Sequence, residues 1–580
     1  MKFLRKALVI LLALILLAAI WIWWNRPQKV EMAAYVPADS LLYLEANDLP
    51  IIASSLINTD AWKALAPAAG IRSDAGRIGW LSRLASWTGI GSSEAVVFSR
   101  AQIAIAILGF DAAADDETLK IKPRYAVIVE THTGESRTRY AVEQRLGEFA
   151  RRAYGDPRVE QREADGVHFT TWSAPDGERH IVAAIKESVA IIGNDESAVA
   201  ACLAVRRGER PSLKGNPQME EMRRRVGGTD ALAFGYVSPE GAARLLELAG
   251  TAYATQISQD PRAQSAAASI LPSLAKKILG GAGWSAHLSN GSIEDRYFMA
   301  LQNGMAERLK PSLASDQKAI LSVSDLLPAN TYSISRYSYR DPAEAWKGLN
   351  TTVTSQFDTL AAILVGRLLE TALKPYGIEE PDSFLRAIGS EFVTARLDDT
   401  GGSTVTIVEV RNEQTLRDFV SKRLGAKPRS ETIGDNQMLV SNNEKHDAAS
   451  FVGDHLILGS EENVRRCLQA LAQKETLANA DDFQKSLQTV TSNAPSSVVT
   501  FTDERASTRS FVEAIANQKG MRERPLNQSA LENALAQLRY ATSETQLVEG
   551  GFERRTLSSF GQFGTLASQF VQPPESETGR

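Results

Sequence analysis

A serine followed three residues later by a lysine is the spacing in this sequence that comes nearest to a catalytic pair. Ser273 and Lys276 would lie one helical turn apart, where a lysine can take a proton from a nucleophilic serine. The Ser-Asp-Asn and Lys-Thr-Gly elements that accompany this chemistry are absent from the sequence. An amphipathic helix explains the same spacing, so we do not assign a nucleophile.

Motifs for nucleotides, metals and hydrolysis are also absent. The sequence has no glycine-rich phosphate loop, and Gly89-Ile90-Gly91 lacks the third glycine of a dinucleotide-binding turn. It has no Gly-x-Ser-x-Gly or His-Glu-x-x-His motif. Two cysteines and six scattered histidines form no ligand pattern for a metal. We therefore predict no catalytic, cofactor-binding or metal-binding residues, and no nucleotide partner.

Three polar groups have simple structural interpretations. His168 and His180 flank the turn Pro175-Asp176-Gly177 at unequal distances, so a plain hairpin register does not pair them. Arg223-Arg224-Arg225 is typical of a polar helix face. An acidic cluster without calcium-loop spacing is predicted to be a solvated loop: Asp111, Asp115, Asp116 and Glu117.

The first thirty residues predict the location. Basic residues precede an apolar run of eighteen residues, 7–24, close to the roughly 20 needed to cross a bilayer core. The run ends in Trp21-Ile22-Trp23-Trp24, which suits the membrane–water interface and offers no small-residue cleavage site. We predict an uncleaved anchor in residues 1–30, single-pass in the inner membrane, with residues from about 30 onward in the periplasm or outside. A cleaved signal peptide is the alternative.

Composition limits the remaining classes. The chain of 580 residues is 43% apolar and 23% charged, which is typical of folded domains. Residues 1–30 hold five basic and no acidic residues, so the remainder has 59 basic and 69 acidic residues and a net charge of −10. An acidic exported part argues against a nucleic-acid partner, because nucleic-acid binding favours a basic surface.

Short segments recur in the same order along the chain, which indicates an internal duplication. Residues 36–40, Val-Pro-Ala-Asp-Ser, recur as residues 327–331, Leu-Pro-Ala-Asn-Thr. The only two cysteines, Cys202 and Cys467, occupy equivalent helix positions, and we expect both to be buried free thiols. Accidental similarity of short elements is the alternative. Other recurring pairs are Ser212-Leu213 with Thr476-Leu477, Trp62 with Trp346, Glu130 with Glu409 and Asp39 with Asn330.

Local patterns predict both strands and helices in each copy. Residues 41–44, 125–129 and 183–185 are β-branched or aromatic-rich runs bounded by turn residues, which favours strands. Apolar residues at helical spacing predict amphipathic helices packed on a sheet at 142–153 and 416–424. The turn at 175–177 joins two predicted strands, so this part of the sheet should be antiparallel.

Helix starts are predicted from capping residues. Asn216 followed by Pro217 supplies an oxygen for free N–H groups and a fixed φ at the first helical position. Asp481 is expected to cap the equivalent helix of the second copy. The predicted fold class is α+β, two tandem copies of a mixed, largely antiparallel sheet packed with helices, after one transmembrane helix. The predicted copies are residues 31–310 and 311–571, and residues 572–580 are predicted to be a disordered tail.

Two amphipathic stretches could contact membrane or a partner. The first combines apolar residues with two lysines at positions 270–278, and the second runs from Leu557 through Phe560, Phe563 and Phe570 to Val571. Core helices show the same periodicity, so we favour packing against the sheets.

The chain resembles a family of bacterial envelope proteins known as domain of unknown function 3352. The resemblance rests on residues 36–43, Val-Pro-Ala-Asp-Ser-Leu-Leu-Tyr, and on residues 451–462, Phe-Val-Gly-Asp-His-Leu-Ile-Leu-Gly-Ser-Glu-Glu, before a helix. It covers most of residues 34–570. It implies an N-terminally anchored exported protein and carries no catalytic residues to transfer.

Three classes of function remain open. The favoured one is a non-catalytic envelope protein, not an enzyme, that binds or organises another envelope component through its paired copies. The second is a carrier or sensor of an apolar ligand, which would include a lipid partner. The third is an enzyme with an unrecognised site, which a cleft of titratable groups with strongly shifted pKa values would reveal.

Overall fold

The fold is α+β, with strands and helices distributed along the whole described chain. The computed structural model describes residues 29–71, 101–115, 118–257, 272–273, 275–315, 322–357, 380–399, 402–425, 427–442, 446–490, 496–516 and 525–570, with single positions between 362 and 378. The predicted membrane span at 7–24 and the predicted tail at 572–580 lie outside these residues.

The described residues form twenty β-strands and fifteen α-helices. The strands are β1 Leu42–Ala46, β2 Gln102–Asp115, β3 Thr118–Glu130, β4 Arg158–Ala164, β5 Val167–Ser173, β6 His180–Lys186, β7 Val189–Gly193, β8 Ala233–Val237, β9 Leu279–Ser289, β10 Ser292–Leu301, β11 Ser333–Ser338, β12 Ile388–Arg396, β13 Thr404–Val410, β14 Arg429–Ile433, β15 Asn436–Val440, β16 Asp447–Val452, β17 His455–Ser460, β18 Val498–Thr502, β19 Ala541–Val548 and β20 Gly551–Ser558. The helices are α1 Leu49–Ile57, α2 Asp60–Ala68, α3 Glu135–Tyr154, α4 Glu196–Arg206, α5 Pro217–Arg225, α6 Pro239–Ile257, α7 Met305–Leu309, α8 Pro342–Thr354, α9 Pro381–Ala387, α10 Glu413–Leu424, α11 Glu461–Gln473, α12 Asp481–Leu487, α13 Arg505–Ala516, α14 Gln528–Leu535 and α15 Gly561–Phe570.

The chain divides into two compact units that interleave in sequence. Unit 1 comprises residues 1–38, 45–50 and 89–214, and unit 2 comprises the rest. This division differs from the predicted boundary at residue 310, because residues 215–310 belong to the same unit as the whole predicted second copy. Compactness and sequence repetition therefore give different divisions of the chain.

Unit 1 contains an antiparallel sheet in the order β2-β3-β7-β6-β5-β4. Helix α3 packs on it through Val142 and Ala150, which join a core with Trp172, Ile181 and Ile185. The predicted turn at 175–177 lies between β5 and β6, and Ser173 pairs with His180. The predictions of this antiparallel hairpin and of the amphipathic helix are thus confirmed.

Unit 2 contains a longer run of paired strands. Their order is β8-β9-β10-β20-β19-β18-β11-β12-β13-β17-β16-β15-β14, and each of these pairings is antiparallel. The prediction of a mixed sheet is therefore wrong for the pairings described in the two units. Antiparallel pairing follows from the many short turns, since parallel neighbours need long crossover connections.

The strand order of unit 1 recurs inside unit 2. The series β12-β13-β17-β16-β15-β14 repeats the series β2-β3-β7-β6-β5-β4, and β18-β19-β20 repeats β8-β9-β10. Single β-bridges also recur, since Pro37 pairs with Ser212 and Pro328 pairs with Thr476. These four residues are the ones that the recurring sequence segments predict to be equivalent.

The capping prediction is confirmed for Asn216 and is wrong for Asp481. Asn216 caps α5 by accepting hydrogen bonds from Gln218 N and Met219 N, and Pro217 is the first helical residue. The prediction for Asp481 is wrong, because the N-cap of α12 is Ala480, whose side chain makes no capping hydrogen bond. Asp481 already lies inside the first turn, where its charge suits the helix dipole.

Two further elements differ from expectation. Asp111 and Asp115 lie in β2 of a long hairpin, so the predicted solvated loop is wrong for these two; Asp116 and Glu117 lie outside the described residues. Leu557 belongs to β20, and the C-terminal helix begins only at Gly561. The strand pairing continues through Leu557 because it pairs with Thr542 and with Glu294.

Candidate functional site

The strand pair β10–β20 in unit 2 concentrates buried charged groups. Glu294 is 2% exposed and accepts hydrogen bonds from Arg296 Nε at 2.6 Å and from Arg555 Nε at 2.8 Å. Arg296 and Arg555 are directly opposite each other in the register. Burial opposes ionisation of Glu294, but the hydrogen bonds and charges of the two arginines outweigh it and lower its pKa. Glu294 is thus an ionised carboxylate held between two cations.

The next residue, Asp295, points to the opposite face of the sheet, because side chains alternate along a strand. It is 1% exposed, and its carboxylate accepts hydrogen bonds from Trp284 Nε1 at 2.9 Å and from Gln562 N at 3.0 Å. Glu504, directly before α13, accepts a hydrogen bond from Ser559 N at 2.8 Å. Asp295 and Glu504, here called the acid pair, therefore bind one turn, residues 559–562, from two sides.

Both members of the acid pair hold protons more tightly than exposed carboxyls do. Burial raises the pKa of Asp295 to about 6, although the hydrogen bonds from Trp284 and Gln562 act in the opposite direction. Burial also raises the pKa of Glu504 to about 7, and the charge of Asp295 adds to this effect. Two acids with raised pKa values side by side are a pattern that occurs at functional sites.

The surroundings of the acid pair favour a positioning role over catalysis. Its described hydrogen bonds come from two backbone amides, from the indole of Trp284 and from the side chain of Ser559, and the amides and the indole fix structure. Two surface grooves in the described part of unit 2 are lined by other residues. One groove includes Asp481, Asp482 and Arg505, and the other includes Tyr339, Glu409 and Arg411.

A second polar cluster, in unit 1, binds the chain that follows the predicted membrane anchor. Gln102 is 1% exposed; its Oε1 accepts a hydrogen bond from Val30 N at 2.7 Å, and its Nε2 donates to Val30 O at 2.9 Å. Gln102 Nε2 also donates to Asn47 Oδ1 at 2.8 Å, and His132 Nε2 lies 3.0 Å from Gln102 Oε1. We call this pair of bonds from Gln102 to Val30 the Gln102 clamp. It bonds both the N–H and the C=O of Val30, as a neighbouring strand would.

A buried ion pair occupies the matching place in the second strand series. Glu391 of β12 corresponds to Gln102 of β2, since their next neighbours Phe392 and Ile103 pair with Val408 and Val129. Arg336 is 2% exposed and donates from Nε to Glu391 Oε1 at 2.8 Å. The equivalent positions in β2 and β12 are thus both polar, Gln102 and Glu391, but the two side chains have different partners.

The predicted weak candidates are not brought together into a site. Ser273 and Lys276 flank Leu274, which lies outside the described residues, and Lys276 Nζ is 3.5 Å from Glu240 Oε1. His168 pairs with Ile185 rather than with His180, and its Nε2 is 3.4 Å from Glu143 Oε1.

The arginine run of α5 is a helix face, as predicted. Arg223 stacks over Phe234 at 4.1 Å and Arg225 over Phe298 at 5.1 Å, while Arg224 and Arg225 both pair with Glu221. These contacts tie the helix end to the strands.

The two thiols are buried and free, which confirms the prediction for Cys202 and Cys467. Burial raises the pKa of each to about 12. A thiol that holds its proton at neutral pH is a poor nucleophile and a poor metal ligand. In the part of the chain that the structure describes, no group of three or more His, Cys, Asp or Glu residues is arranged to hold a metal ion.

The C-terminal amphipathic stretch packs into the protein. Phe560 is 4% exposed and meets Phe511 at 4.7 Å and Trp62 at 6.5 Å between ring centroids, in a core formed by α2, α13 and α14. This supports the core interpretation of Phe560 over a membrane contact. Val571 and the apolar positions at 270 and 271 lie outside the described residues.

Similarity to known proteins does not identify the chain. No family model, curated protein or solved structure matches it. The resemblance to domain of unknown function 3352 therefore stays a prediction. Within the described residues, every helix is too short or too polar to cross a bilayer.

Proposed function

We propose that this protein is a non-catalytic, single-pass membrane-anchored envelope protein whose exported body binds or organises another envelope component through two copies of one fold. The anchor is residues 7–24, in the inner membrane, and the body begins at about residue 30, in the periplasm or outside. The observation that carries the proposal is the Gln102 clamp, because it builds the first residues after the predicted anchor into the folded body.

The clamp limits the distance between the body and the membrane. Five residues, 25–29, separate the predicted span from Val30. A chain reaches at most about 3.6 Å per residue, so the clamp lies within roughly 20 Å of the end of the span. A tether this short favours a partner that is itself at or near the inner membrane.

Recurrence of the strand order supports the two-copy part of the proposal. Each series ends in an exposed outer strand: β4 is exposed at every position, and β14 is largely exposed. Gln161 of β4 and Ser430 of β14 are exposed and hold equivalent positions in the two series, so they provide matched probes of one surface.

The proposal that the protein is non-catalytic rests on the acid pair. Both carboxyls accept hydrogen bonds from backbone amides, and neither lines one of the two described grooves. The apolar-ligand alternative gains no specific support, since the two described grooves are lined largely by polar and charged residues. An enzyme would gain support if mutation of a groove carboxylate, such as Glu409, abolished a measured turnover without loss of folding.

The proposal is tested by site-specific photocrosslinking in living cells. A photoreactive residue is placed at Gln161 or Ser430 in the full-length protein, with Ala183, which is fully buried, as the matched control. We expect the same crosslinked component from both exposed positions and none from position 183. Absence of a shared component would contradict the two-copy binding role. The topology is tested by adding protease to spheroplasts, where an exported body is accessible. A body that stays intact would contradict the topology.

A further inference from the structure

The start of the C-terminal helix α15 is attached through side chains from two distant elements. Asp295 lies in β10 and caps the first turn of α15 by accepting from Gln562 N, as an N-cap residue would. Glu504 lies at the start of α13 and accepts from Ser559 N. The turn 559–562 therefore depends on two carboxyls that are more than 200 positions apart in the sequence.

The backbone of the turn fits closely around Asp295. Gly561 has φ +60°, and a β-carbon there would lie 2.8 Å from Asp295 Oδ2 and would overlap Ile293 Cγ2. Gly561 N also donates to Ser558 Oγ at 3.0 Å. Only glycine gives both the left-handed conformation and the space that this contact requires.

Aromatic contacts couple the same turn to the body. Trp284, which donates to Asp295, meets Phe563 of α15 edge to face at 6.1 Å. Phe560 fills the core beside Phe511. Movement of the turn would therefore displace the carboxyl contacts and the aromatic contacts together.

The charges around the acid pair do not neutralise it. Acidic neighbours act on both members, Glu294 on Asp295 and Asp503 on Glu504. The nearby cations are engaged elsewhere: Arg296 and Arg555 pair with Glu294, and Arg505 pairs with Asp503. Two further titratable groups described in this region are Tyr297, whose phenol bonds to Gln562, and Arg554, which bonds to Ser543.

We propose that the acid pair is a proton-dependent latch on the start of α15. While at least one carboxyl keeps its proton, the pair holds the turn 559–562 closed. When both protons pass to solvent, the buried carboxylate of Asp295 and the half-buried carboxylate of Glu504 repel each other, and the turn opens. Burial raises the pKa of both groups, which places the transition near neutral pH.

Hydrogen exchange on the full-length protein in detergent tests the latch. Peptides covering residues 559–565 are followed at pH 5.5 and pH 8, after correction for the intrinsic exchange rate, and peptides of β12 and β13 serve as the internal reference. We expect opening of the turn to increase about tenfold or more at pH 8, as a shift of one or more pKa units implies, while the reference peptides stay protected. Equal protection of the turn at both pH values would overturn the proposal.

Variants test whether the acid pair is the cause. Asp295→Asn and Glu504→Gln mimic the protonated carboxyls, and each should reduce the pH dependence of the turn. Glu549→Gln removes an exposed carboxyl from the β19–β20 connection and should leave that dependence unchanged. A double variant that keeps the full pH dependence would refute the latch. If a variant does not fold, hydrogen exchange of the wild-type turn at pH 5.5 and pH 8 still tests the latch.

Discussion

Arg336 and Glu391 show at the residue scale what a buried charge pair requires. Removing Arg336 takes away the Nε–H donor that bonds to the carboxyl of Glu391, which is only 7% exposed. We expect Arg336→Ala to lower the free energy of unfolding by about 3 kcal/mol or more, measured by urea denaturation. Lys347→Ala, which breaks the exposed pair with Glu344, should change it by less than about 0.5 kcal/mol. Equal effects of the two substitutions would contradict this assignment.

The thiols of Cys202 and Cys467 make a second residue-scale prediction. Because burial raises both pKa values to about 12, neither thiol should react with N-ethylmaleimide at pH 8 in the native protein. Both should react after unfolding in urea, as measured by mass spectrometry. Rapid labelling of either native thiol, or a disulfide-linked Cys202–Cys467 peptide under non-reducing conditions, would show the prediction to be wrong.

Residue chemistry predicts local contacts well and distant contacts poorly. Asn216 could be assigned as a cap because its partners lie two and three positions away. Asp295 and Glu504 could not be assigned, because their partners Gln562 and Ser559 are neighbours only after β10 has paired with β20. No local pattern around Asp295 encodes that pairing.

Helix α5 allows a test at the element scale. Asn216→Ala removes the acceptor for two first-turn amides and should lower the free energy of unfolding by about 1 kcal/mol. Gln218→Ala, an exposed substitution in the same turn, should change it little. Thermal unfolding followed by circular dichroism measures both. A larger effect for Gln218→Ala than for Asn216→Ala would contradict the capping role.

The elements were predictable where local and tertiary preferences agree. Residues 125–129 and 183–185 are strands, and residues 142–153 lie in α3, because apolar faces and turn residues point to one structure. The acidic stretch at 111–115 was misassigned because its polar composition resembles a loop, whereas its pairing with residues 118–122 extends the hairpin. The equivalent of the Asn216 cap was also misassigned, because α12 begins at Asp481 itself.

At the scale of the whole molecule, the sequence predicts which segments recur, but it does not predict how the recurring strands pair with one another. The backbone bond from Leu213 N to Val36 O, at 2.7 Å, is matched by one from Leu477 N to Leu327 O, at 2.8 Å, as the recurring segments suggest. No local pattern predicts that β10 and β20, the last strands of the recurring sets β8-β9-β10 and β18-β19-β20, pair with each other. That pairing also brings Arg555 to Glu294 and Ser559 to Glu504.

The free energy of unfolding should therefore depend on pH through Glu504, and the substitution Glu504→Gln isolates that contribution. The folded-state pKa of Glu504 is raised, so the unfolded chain releases this proton first; the stabilisation is fully present below about pH 4.5 and is lost as pH rises through about 7. Groups with lowered pKa values, such as Glu294 and His287, act with the opposite sign. Comparison of wild type with Glu504→Gln at each pH cancels their contributions.

We expect wild type to lose about 3 kcal/mol of unfolding free energy relative to Glu504→Gln between pH 4.5 and pH 8, since each pKa unit corresponds to about 1.4 kcal/mol. Urea unfolding of both proteins at intervals of half a pH unit measures the difference. Glu549→Gln, which alters an exposed carboxyl, should run parallel to wild type across the range. A constant difference between wild type and Glu504→Gln would mean that Glu504 keeps an ordinary pKa in the folded protein, and a difference of opposite sign would mean that its charged form is the one that the fold stabilises.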